Sequence, residues 1–331
     1  MKMRQLGSQG LEVSAIGIGC MPMISGGNIA YGKADRTESI ATIHEAIDLG
    51  ITFLDTAEMY GPFTNEALVG EAIRGKRDGL IIATKFAMTW NGNEMAGLDG
   101  SAANARRACE GSLKRLGIDT IDLFYQHRVD PKVPIEDTIG GMAELVKEGK
   151  VRHIALSEAG PETLRRAAAV HPIAALQTEY SIWERDVEAE ILPVCLELGI
   201  GFVPYSPLGR GFLAGGIRSI NDLPADDWRH NDPRYSPENM PENLAIVDAV
   251  AAVARRHGVS NAQIALAWLL AQGDHVVPIP GVKRRETMRD SAGSPEVTLS
   301  DTDLADLDAA APTGTTAGPR YGERGMKMVK I

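Results

Sequence analysis

Short apolar runs alternate with helical patterns along most of the chain. Eight runs are apolar throughout instead of alternating with polar residues, which is typical of parallel strands covered on both faces. They are AIGIG (15–19), ITFLD (51–55), LIIATK (80–85), IDLFYQH (121–127), VRHIALS (151–157), IAALQ (173–177), IGFVPYS (200–206) and HVVPIPG (275–281). Eight strand-then-helix units predict an α/β fold, a (β/α)8 TIM barrel, with residues 1–331 forming a single barrel domain.

The segments between these runs carry helical spacing and helix-end signals. Asp35 and Glu38 are spaced as a capping box, and Pro134 and Gly149 bracket another predicted helix. Before the first barrel strand, MRQLGSQGLEVS has two short runs around a Gly-Ser-Gln-Gly turn, which predicts a β-hairpin. We expect this N-terminal hairpin to plug the bottom of the barrel.

Composition narrows the possible functions. The 331 residues carry 34 basic and 44 acidic side chains, a formal net charge of −10, whereas nucleic-acid binding needs a basic surface. The three cysteines are far apart and form no CxxC, which is not the pattern of a disulfide framework or a zinc ribbon. Without a signal peptide or a membrane-spanning apolar run, we expect a cytoplasmic protein with no membrane partner. The sequence does not indicate an oligomeric state.

Polar side chains end most of the predicted strands. Because active sites of (β/α)8 barrels lie at the C-terminal ends of the strands, we expect these side chains to meet at one mouth. They are Asp55, Lys85, His127, Ser157 with Glu158, Gln177, and Tyr205 with Ser206. Each alone has an ordinary structural explanation, such as a turn-capping aspartate or a solvated lysine. A set placed at successive strand ends is harder to explain as structure.

Along nearly its whole length the chain resembles the aldo-keto reductase family. The resemblance rests on a series of motifs in this order: FLDTAEMYG, IATKF, IDLFYQHR, GKVRHIALSEA, LQTEYSIWERD, VPYSPLGRGFLAG and VVPIPGVKRRE. The chain is most similar to the branch with bacterial and plant reductases of sugar-like, alkaloid and pyridoxal-type carbonyls. The resemblance implies a catalytic tetrad of Asp55, Tyr60, Lys85 and His127, the cofactor NADPH or NADP, and a small-molecule carbonyl substrate.

The chemistry of carbonyl reduction gives each tetrad residue a task. Reduction needs a hydride at carbon and a proton at oxygen, and tyrosine is a weak acid with an ordinary pKa near 10. A cation about 4 Å from a phenolate, at an effective dielectric constant of about 20, contributes roughly 4 kcal/mol before desolvation. We therefore expect Lys85 to lower the pKa of Tyr60, with Asp55 orienting Lys85. His127 is expected to hydrogen-bond the carbonyl oxygen.

The resemblance also implies how the cofactor is held. It places Tyr205 against the nicotinamide, and Ser157 and Gln177 on the carboxamide. The remaining implied contacts are Ser206, Leu208 and Arg210 along the phosphates and Gly281 after the last strand. GRGFLA (209–214) matches a Rossmann fingerprint but lacks its strand–helix–strand context, so we interpret it as part of this phosphate loop.

Two further features concern the cofactor. Lys283 and Arg284 open a predicted helix, where a basic pair suits a phosphate, and the resemblance makes this the 2′-phosphate of NADP. Glu158 departs from the Ser-Asn pair that many family members have after the fifth strand. Because a carboxylate cannot donate to the carboxamide oxygen, Glu158 is a weaker candidate ligand than Ser157 or Gln177.

Three loops are expected to shape the substrate pocket: residues 23–33, 86–101 and 209 to about 241. They supply the candidate pocket residues Met23, Tyr31, Met88, Trp90 and Trp228. This mixture suits a moderately large, partly polar carbonyl compound. The long third loop is also expected to close over bound cofactor.

Two other functions stay open at this point. The first is an NADPH-binding sensor or regulatory partner, because the β subunits of voltage-gated potassium channels resemble this family, act mainly as partners and retain the tetrad. The second is a metal-assisted barrel enzyme such as an isomerase or lyase. The sequence shows no clustered His, Asp and Glu ligands for it, so we expect no metal.

Overall fold

The computed structural model describes residues 1–24, 31–91 and 94–331. The strands are β1 Met3–Gln5, β2 Glu12–Ser14, β3 Ile18–Gly19, β4 Phe53–Asp55, β5 Ile81–Phe86, β6 Met88–Asn91, β7 Glu94–Leu98, β8 Ile121–Gln126, β9 Val151–Ser157, β10 Ile173–Glu179 and β11 Gly201–Tyr205. Seven of them pair side by side as a parallel sheet in the order β3, β4, β5, β8, β9, β10, β11. Their carboxyl ends therefore meet at one mouth.

The eighth predicted strand closes the barrel through separate hydrogen bonds instead of a continuous ladder. On one side of residues 275–281, the Gly17 N–H donates to the carbonyl of Pro278 (2.9 Å). On the other side, the Val277 N–H donates to the carbonyl of Phe202 (2.9 Å). The segment contains two prolines, which have no N–H to donate, so regular strand pairing is interrupted. The result is the predicted barrel, nearly closed.

Helices surround the sheet. They are α1 Arg36–Asp48, α2 Thr64–Ala72, α3 Ala102–Leu116, α4 Ile135–Lys147, α5 Pro161–Val170, α6 Ile191–Leu198, α7 Met240–His257, α8 Asn261–Ala271, α9 Arg285–Ala292, α10 Asp301–Ala310 and α11 Glu323–Met326. The capping box predicted for α1 forms only in part. Asp35 accepts from the Glu38 N–H (2.8 Å), but the Glu38 carboxylate pairs with Arg285 of α9 (3.0 Å). This ion pair joins the first helix to the helix beside the closing strand.

The N-terminal hairpin plugs the barrel as predicted. β1 and β2 pair antiparallel, and Leu6, Leu11 and Val13 are buried in one apolar cluster with side chains from the barrel interior. At the hairpin turn Gly7 has φ +76°, and a Cβ there would lie 2.4 Å from the carbonyl oxygen of Ala174. The hairpin backbone thus approaches the barrel bottom too closely for any side chain at Gly7.

Two other observations complete the fold. β6 and β7 form a second hairpin within the predicted pocket loop 86–101. Residues 92–93 of that loop, and residues 25–30 of the predicted pocket loop 23–33, lie outside the described residues. Across the three described ranges, none of the helices combines the length and apolar character needed to cross a membrane.

We expect Gly7→Ala to destabilise the protein more than Gly10→Ala. Both glycines have φ near +75°, where a side chain costs about 1–2 kcal/mol, but Gly10 has open space where its Cβ would be. The clash at Gly7 should add about 1–3 kcal/mol. Urea denaturation measures the free energy of unfolding of both variants. Equal losses would contradict the close approach of the hairpin to the barrel.

Candidate active site

A buried lysine lies at the centre of the barrel mouth. Lys85, near the end of β5, is fully buried, and its ammonium group donates to an oxygen of Asp55, the last residue of β4. It also donates to the carbonyl of Thr56 (2.8 Å) and to Tyr60 Oη (3.3 Å). The turn from β4 to α2 brings Tyr60 back over the strand end. The structure therefore brings three of the four predicted tetrad residues into one hydrogen-bonded group.

Burial is the largest influence on the pKa values of Lys85, Asp55 and Tyr60. It lowers the pKa of Lys85 and raises that of Asp55, and the attraction between the two opposes both shifts. Burial, reinforced by the charge of Asp55, also raises the pKa of Tyr60 well above its ordinary value. The expected lowering of the Tyr60 pKa by Lys85 is therefore wrong here, because desolvation of the phenolate outweighs the nearby cation. Tyr60 is neutral and holds its proton.

His127, the fourth tetrad residue, follows β8 and faces Tyr60. The two rings meet edge to face, with centroids 5.9 Å apart. Burial, together with the charges of Lys85 and Arg128, lowers the pKa of His127 well below its ordinary value, so the imidazole is neutral. Its Nδ1 is buried and has no hydrogen-bond partner within the described part of the chain. A neutral imidazole beside a protonated tyrosine is suited to bind a carbonyl oxygen.

The two predicted carboxamide ligands also lie at this mouth. Gln177 of β10 donates through Nε2 to Asp55 Oδ2 (2.9 Å), which extends the buried group to a third strand. Ser157, the last residue of β9, accepts from Arg128 (3.2 Å), which also donates to the carbonyl of His127 (2.7 Å). Sequence reasoning did not select Arg128, because nothing but its position next to His127 distinguished it from a surface arginine.

The loop after β11 is fixed by buried ion pairs. Ser206, with φ +48°, and Leu208 form the turn that leads into this loop. Arg210 is buried, pairs with Asp232, and donates to Glu179 of β10 (3.1 Å). Two carboxylates thus already hold the guanidinium. The placement of Arg210 along cofactor phosphates stays a prediction.

Tyr205, the last residue of β11, is half-buried and belongs to a second hydrogen-bonded group, built on a buried carboxylate. Its hydroxyl donates to Glu158 Oε1 (2.8 Å), and Arg320 binds both oxygens of the same carboxylate (3.0 and 2.9 Å). The Tyr321 hydroxyl lies 2.8 Å from that of Tyr205. Sequence reasoning missed Arg320 and Tyr321, because the C-terminal tail has no periodic pattern. The available signal was Glu158 itself, since a carboxylate in a buried strand end needs a cation.

Among the described residues, one cation near the N-terminus of α9 is free for a ligand. Lys283 donates to the carbonyls of Tyr31 and Lys33 (2.5 and 2.9 Å). Of the arginines that follow, Arg285 and Arg289 are paired with glutamates of α1. Arg284 is exposed and has no carboxylate partner in the described ranges. Gly281, which precedes these cations in the sequence, packs closely against Pro22. A Cβ on residue 281 would lie only 2.9 Å from the Pro22 Cγ.

The predicted pocket residues fall into separate groups. Met88 and Trp90 pack in an apolar cluster with Tyr60. Tyr31 and Trp228 contact each other edge to face, with centroids 6.2 Å apart, and Trp228 also contacts the guanidinium of Arg210. Met23 is buried in a different cluster of the barrel core. The structure therefore divides the five residues among three groups, and their role in one substrate pocket stays a prediction.

The donor set fits a nicotinamide nucleotide. Side-chain hydroxyl and amide groups and an unpartnered imidazole nitrogen suit an uncharged ring with an amide, and the exposed Arg284 suits a phosphate. No group of three or more His, Cys, Asp or Glu residues is arranged to hold a metal ion in the part of the chain that the structure describes.

Comparison with known proteins identifies the family of this chain. The sequence profile of the Aldo/keto reductase family matches residues 15–312. The "Probable aldo-keto reductase 1" of Glycine max is 46% identical over 318 residues, which cover 96% of this chain and 91% of that protein.

Solved structures give the same result. The glycerol dehydrogenase from Gluconobacter oxydans has a TM-score of 0.85 and 29% identity, covering 93% of this chain and 94% of that one. An aldo/keto reductase from Klebsiella pneumoniae, solved in complex with NADP and acetate, has a TM-score of 0.73 and 27% identity, covering 97% of this chain and 99% of that one. This chain belongs to the aldo/keto reductase family of NADP(H)-dependent oxidoreductases.

Proposed function

We propose that the protein reduces an aldehyde or ketone to an alcohol with NADPH, with Tyr60 as the proton donor and His127 orienting the carbonyl. The observation that carries this proposal is the 3.3 Å hydrogen bond from Lys85 to Tyr60 Oη, made by an ammonium that Asp55 also holds. Because Lys85 donates to the phenol oxygen, the proton of Tyr60 is free to point at a substrate. When bound, NADPH supplies the hydride to the carbonyl carbon.

Lys85 favours the proton transfer from Tyr60. As negative charge develops on the carbonyl oxygen, Tyr60 gives up its proton and its own oxygen becomes a phenolate next to the ammonium. At 3.3 Å and an effective dielectric constant of about 20, that attraction is about 5 kcal/mol before desolvation. The raised pKa of Tyr60 keeps it protonated until the transfer, and Asp55 keeps Lys85 charged and in place.

His127 binds the same carbonyl oxygen by a hydrogen bond and transfers no proton to it. A neutral imidazole donates an N–H to the carbonyl oxygen, positioning it near the Tyr60 hydroxyl and stabilising the charge that develops there. Its low pKa means that His127 stays neutral even as the pH falls below neutrality. The imidazole therefore acts as an uncharged hydrogen-bond donor.

The remaining site residues complete the proposal. Tyr205 supports the nicotinamide ring, Ser157 and Gln177 hold its carboxamide, and Lys283 and Arg284 bind the 2′-phosphate. Ser206, Leu208, Arg210 and Gly281 line the rest of the cofactor site, and Met23, Tyr31, Met88, Trp90 and Trp228 the substrate pocket. What supports the assignment is that Met88 and Trp90 pack with Tyr60, Tyr31 contacts Trp228, and Gln177 donates to Asp55. We further propose that residues 1–331 work as one barrel domain.

We expect Tyr60→Phe to lower carbonyl reduction by about 10²–10⁴-fold, the usual contribution of a general acid, while NADPH binding is retained. The change removes the hydroxyl, and with it both the proton that the substrate oxygen receives and one acceptor of Lys85, while the ring stays. NADPH oxidation against a panel of aldehydes, sugar-derived ketones and quinones measures turnover. Fluorescence titration measures NADPH binding. The matched control is Tyr180→Phe, since Tyr180 is a buried tyrosine whose hydroxyl bonds Glu188 outside the mouth.

Two outcomes would contradict this proposal. Full turnover by Tyr60→Phe would remove Tyr60 from its role. A wild-type protein that binds NADPH but turns over no carbonyl would favour the alternative of an NADPH-binding sensor or regulatory partner.

We expect Arg284→Ala to weaken NADPH binding by about tenfold or more and NADH binding little, because a charge-assisted contact to the 2′-phosphate contributes about 1.5–3 kcal/mol. Arg289→Ala is the control, since Arg289 is an exposed arginine of the same helix that already pairs with Glu45. Titration of each variant with both cofactors provides the comparison. An equal loss of affinity for NADPH and NADH would mean that Arg284 does not read the 2′-phosphate.

A further inference from the structure

We infer that the C-terminal strap, defined as residues 316–321, is part of the cofactor site, and that Arg320 is a positioning residue that holds Tyr205 in place through Glu158. The inference rests on the proposed function, since it assumes that Tyr205 supports the nicotinamide. It gives a role to a segment that lies far from the tetrad in sequence and beyond the stretch matched by the family profile.

The contact from Arg320 to Tyr205 runs through a single carboxylate. Arg320 is 2% exposed and Glu158 is fully buried, and the guanidinium binds both carboxylate oxygens. Glu158 Oε1 also accepts from the Tyr205 hydroxyl at 2.8 Å. Bidentate pairing fixes the orientation of the carboxylate as well as its position. Arg320 therefore fixes the position of the Glu158 oxygen that accepts the hydrogen bond from the Tyr205 hydroxyl.

Tyr321 adds a second contact to the same hydroxyl. Its own hydroxyl lies 2.8 Å from that of Tyr205, and its ring lies against the guanidinium of Arg210. Burial, reinforced by the charge of Glu158, raises the pKa of Tyr205 well above its ordinary value, so Tyr205 stays a neutral donor to Glu158. A tyrosine ring held at its far end by two groups cannot tilt freely, which is the property a stacking surface needs.

The strap is also bonded to the loop that is expected to wrap the cofactor phosphates. Arg210 donates to the carbonyl of Arg320 (3.0 Å), and Arg234 donates to the carbonyl of Gly318 (3.2 Å). Asn243 forms two hydrogen bonds with the backbone of Ala317, at 3.0 and 2.9 Å. One short segment therefore links the phosphate loop to the residue that is expected to support the nicotinamide.

Stability alone is a poor explanation for the Glu158–Arg320 pair. Desolvating two charges offsets most of their attraction, so a buried ion pair adds little net stability compared with apolar side chains. Glu158 also has φ +57°, a backbone conformation that costs a non-glycine residue about 1–2 kcal/mol. The unfavourable backbone of Glu158 and the desolvated Glu158–Arg320 pair are better explained by a role in positioning the Tyr205 ring.

The experiment measures NADPH affinity in a double-mutant cycle. One arm is Glu158→Gln with Arg320→Met, which removes both charges together and leaves no unpaired buried ion. The other arm is Tyr205→Phe, which keeps the ring and removes its hydroxyl. We expect each arm to raise the NADPH dissociation constant about tenfold, and the combination to raise it hardly further, because both break the same connection.

The control variant is Lys327→Ala, which removes an exposed cation of the same tail whose ammonium pairs with Glu323. It should leave NADPH affinity and apo thermal stability unchanged. Apo melting temperatures of all variants separate a folding defect from a binding defect. Arg320→Lys, which keeps one charged donor to Glu158, should recover part of the affinity.

Three results would overturn the inference. They are a folded Glu158→Gln/Arg320→Met protein with wild-type NADPH affinity, strictly additive effects of the two arms, or a loss of affinity fully accounted for by a lower apo melting temperature. Failure of the proposed function would be recognised separately, because the wild-type protein would then show no NADPH binding or no carbonyl turnover.

Discussion

The ammonium group of Lys85, fully buried at the centre of the barrel mouth, is the constraint on which the site depends. A buried charge is costly unless several polar groups surround it, so the fold must supply them from neighbouring segments. Asp55 comes from the adjacent strand, Tyr60 from the turn that follows it, and Gln177 binds the far side of Asp55 from across the barrel. The closed arrangement of parallel strands is what lets residues so distant in sequence meet.

A second set of buried charges holds the walls around this centre. Glu179 of β10 binds both Arg210 and Arg234, which lie in the loop after β11, and Glu158 binds Arg320 of the C-terminal tail. Each pair ties a segment outside the sheet to the end of a strand. The loop and the tail are therefore positioned by the barrel, and Arg210 of the loop joins the two, because its guanidinium donates to Glu179 of β10 and to the carbonyl of Arg320 in the tail. The tetrad lies at the ends of β4, β5 and β8 and the wall carboxylates at the ends of β9 and β10, so both depend on the same barrel.

The sequence predicts the parts of this site that follow from short-range pattern. Asp55, Lys85 and His127 each end an apolar run, so their convergence follows from the barrel, and the prolines of 275–281 explain why the closing strand is irregular. The raised pKa of Tyr60 was mispredicted because desolvation depends on three-dimensional packing, which a nearby cation in the sequence does not reveal. No periodic pattern in the sequence indicates that Glu158 pairs with Arg320, which lies 162 residues away.

The most direct test of the account is the single-turnover rate of NADPH oxidation by Asp55→Asn, measured with a carbonyl substrate of the wild-type protein. The account holds that Asp55 keeps Lys85 charged and in place beside Tyr60, and that this pair serves proton transfer, not cofactor binding. It predicts a rate at least about tenfold lower with little change in NADPH affinity, since general acid catalysis contributes about 10²–10⁴-fold. A wild-type rate in Asp55→Asn would contradict it.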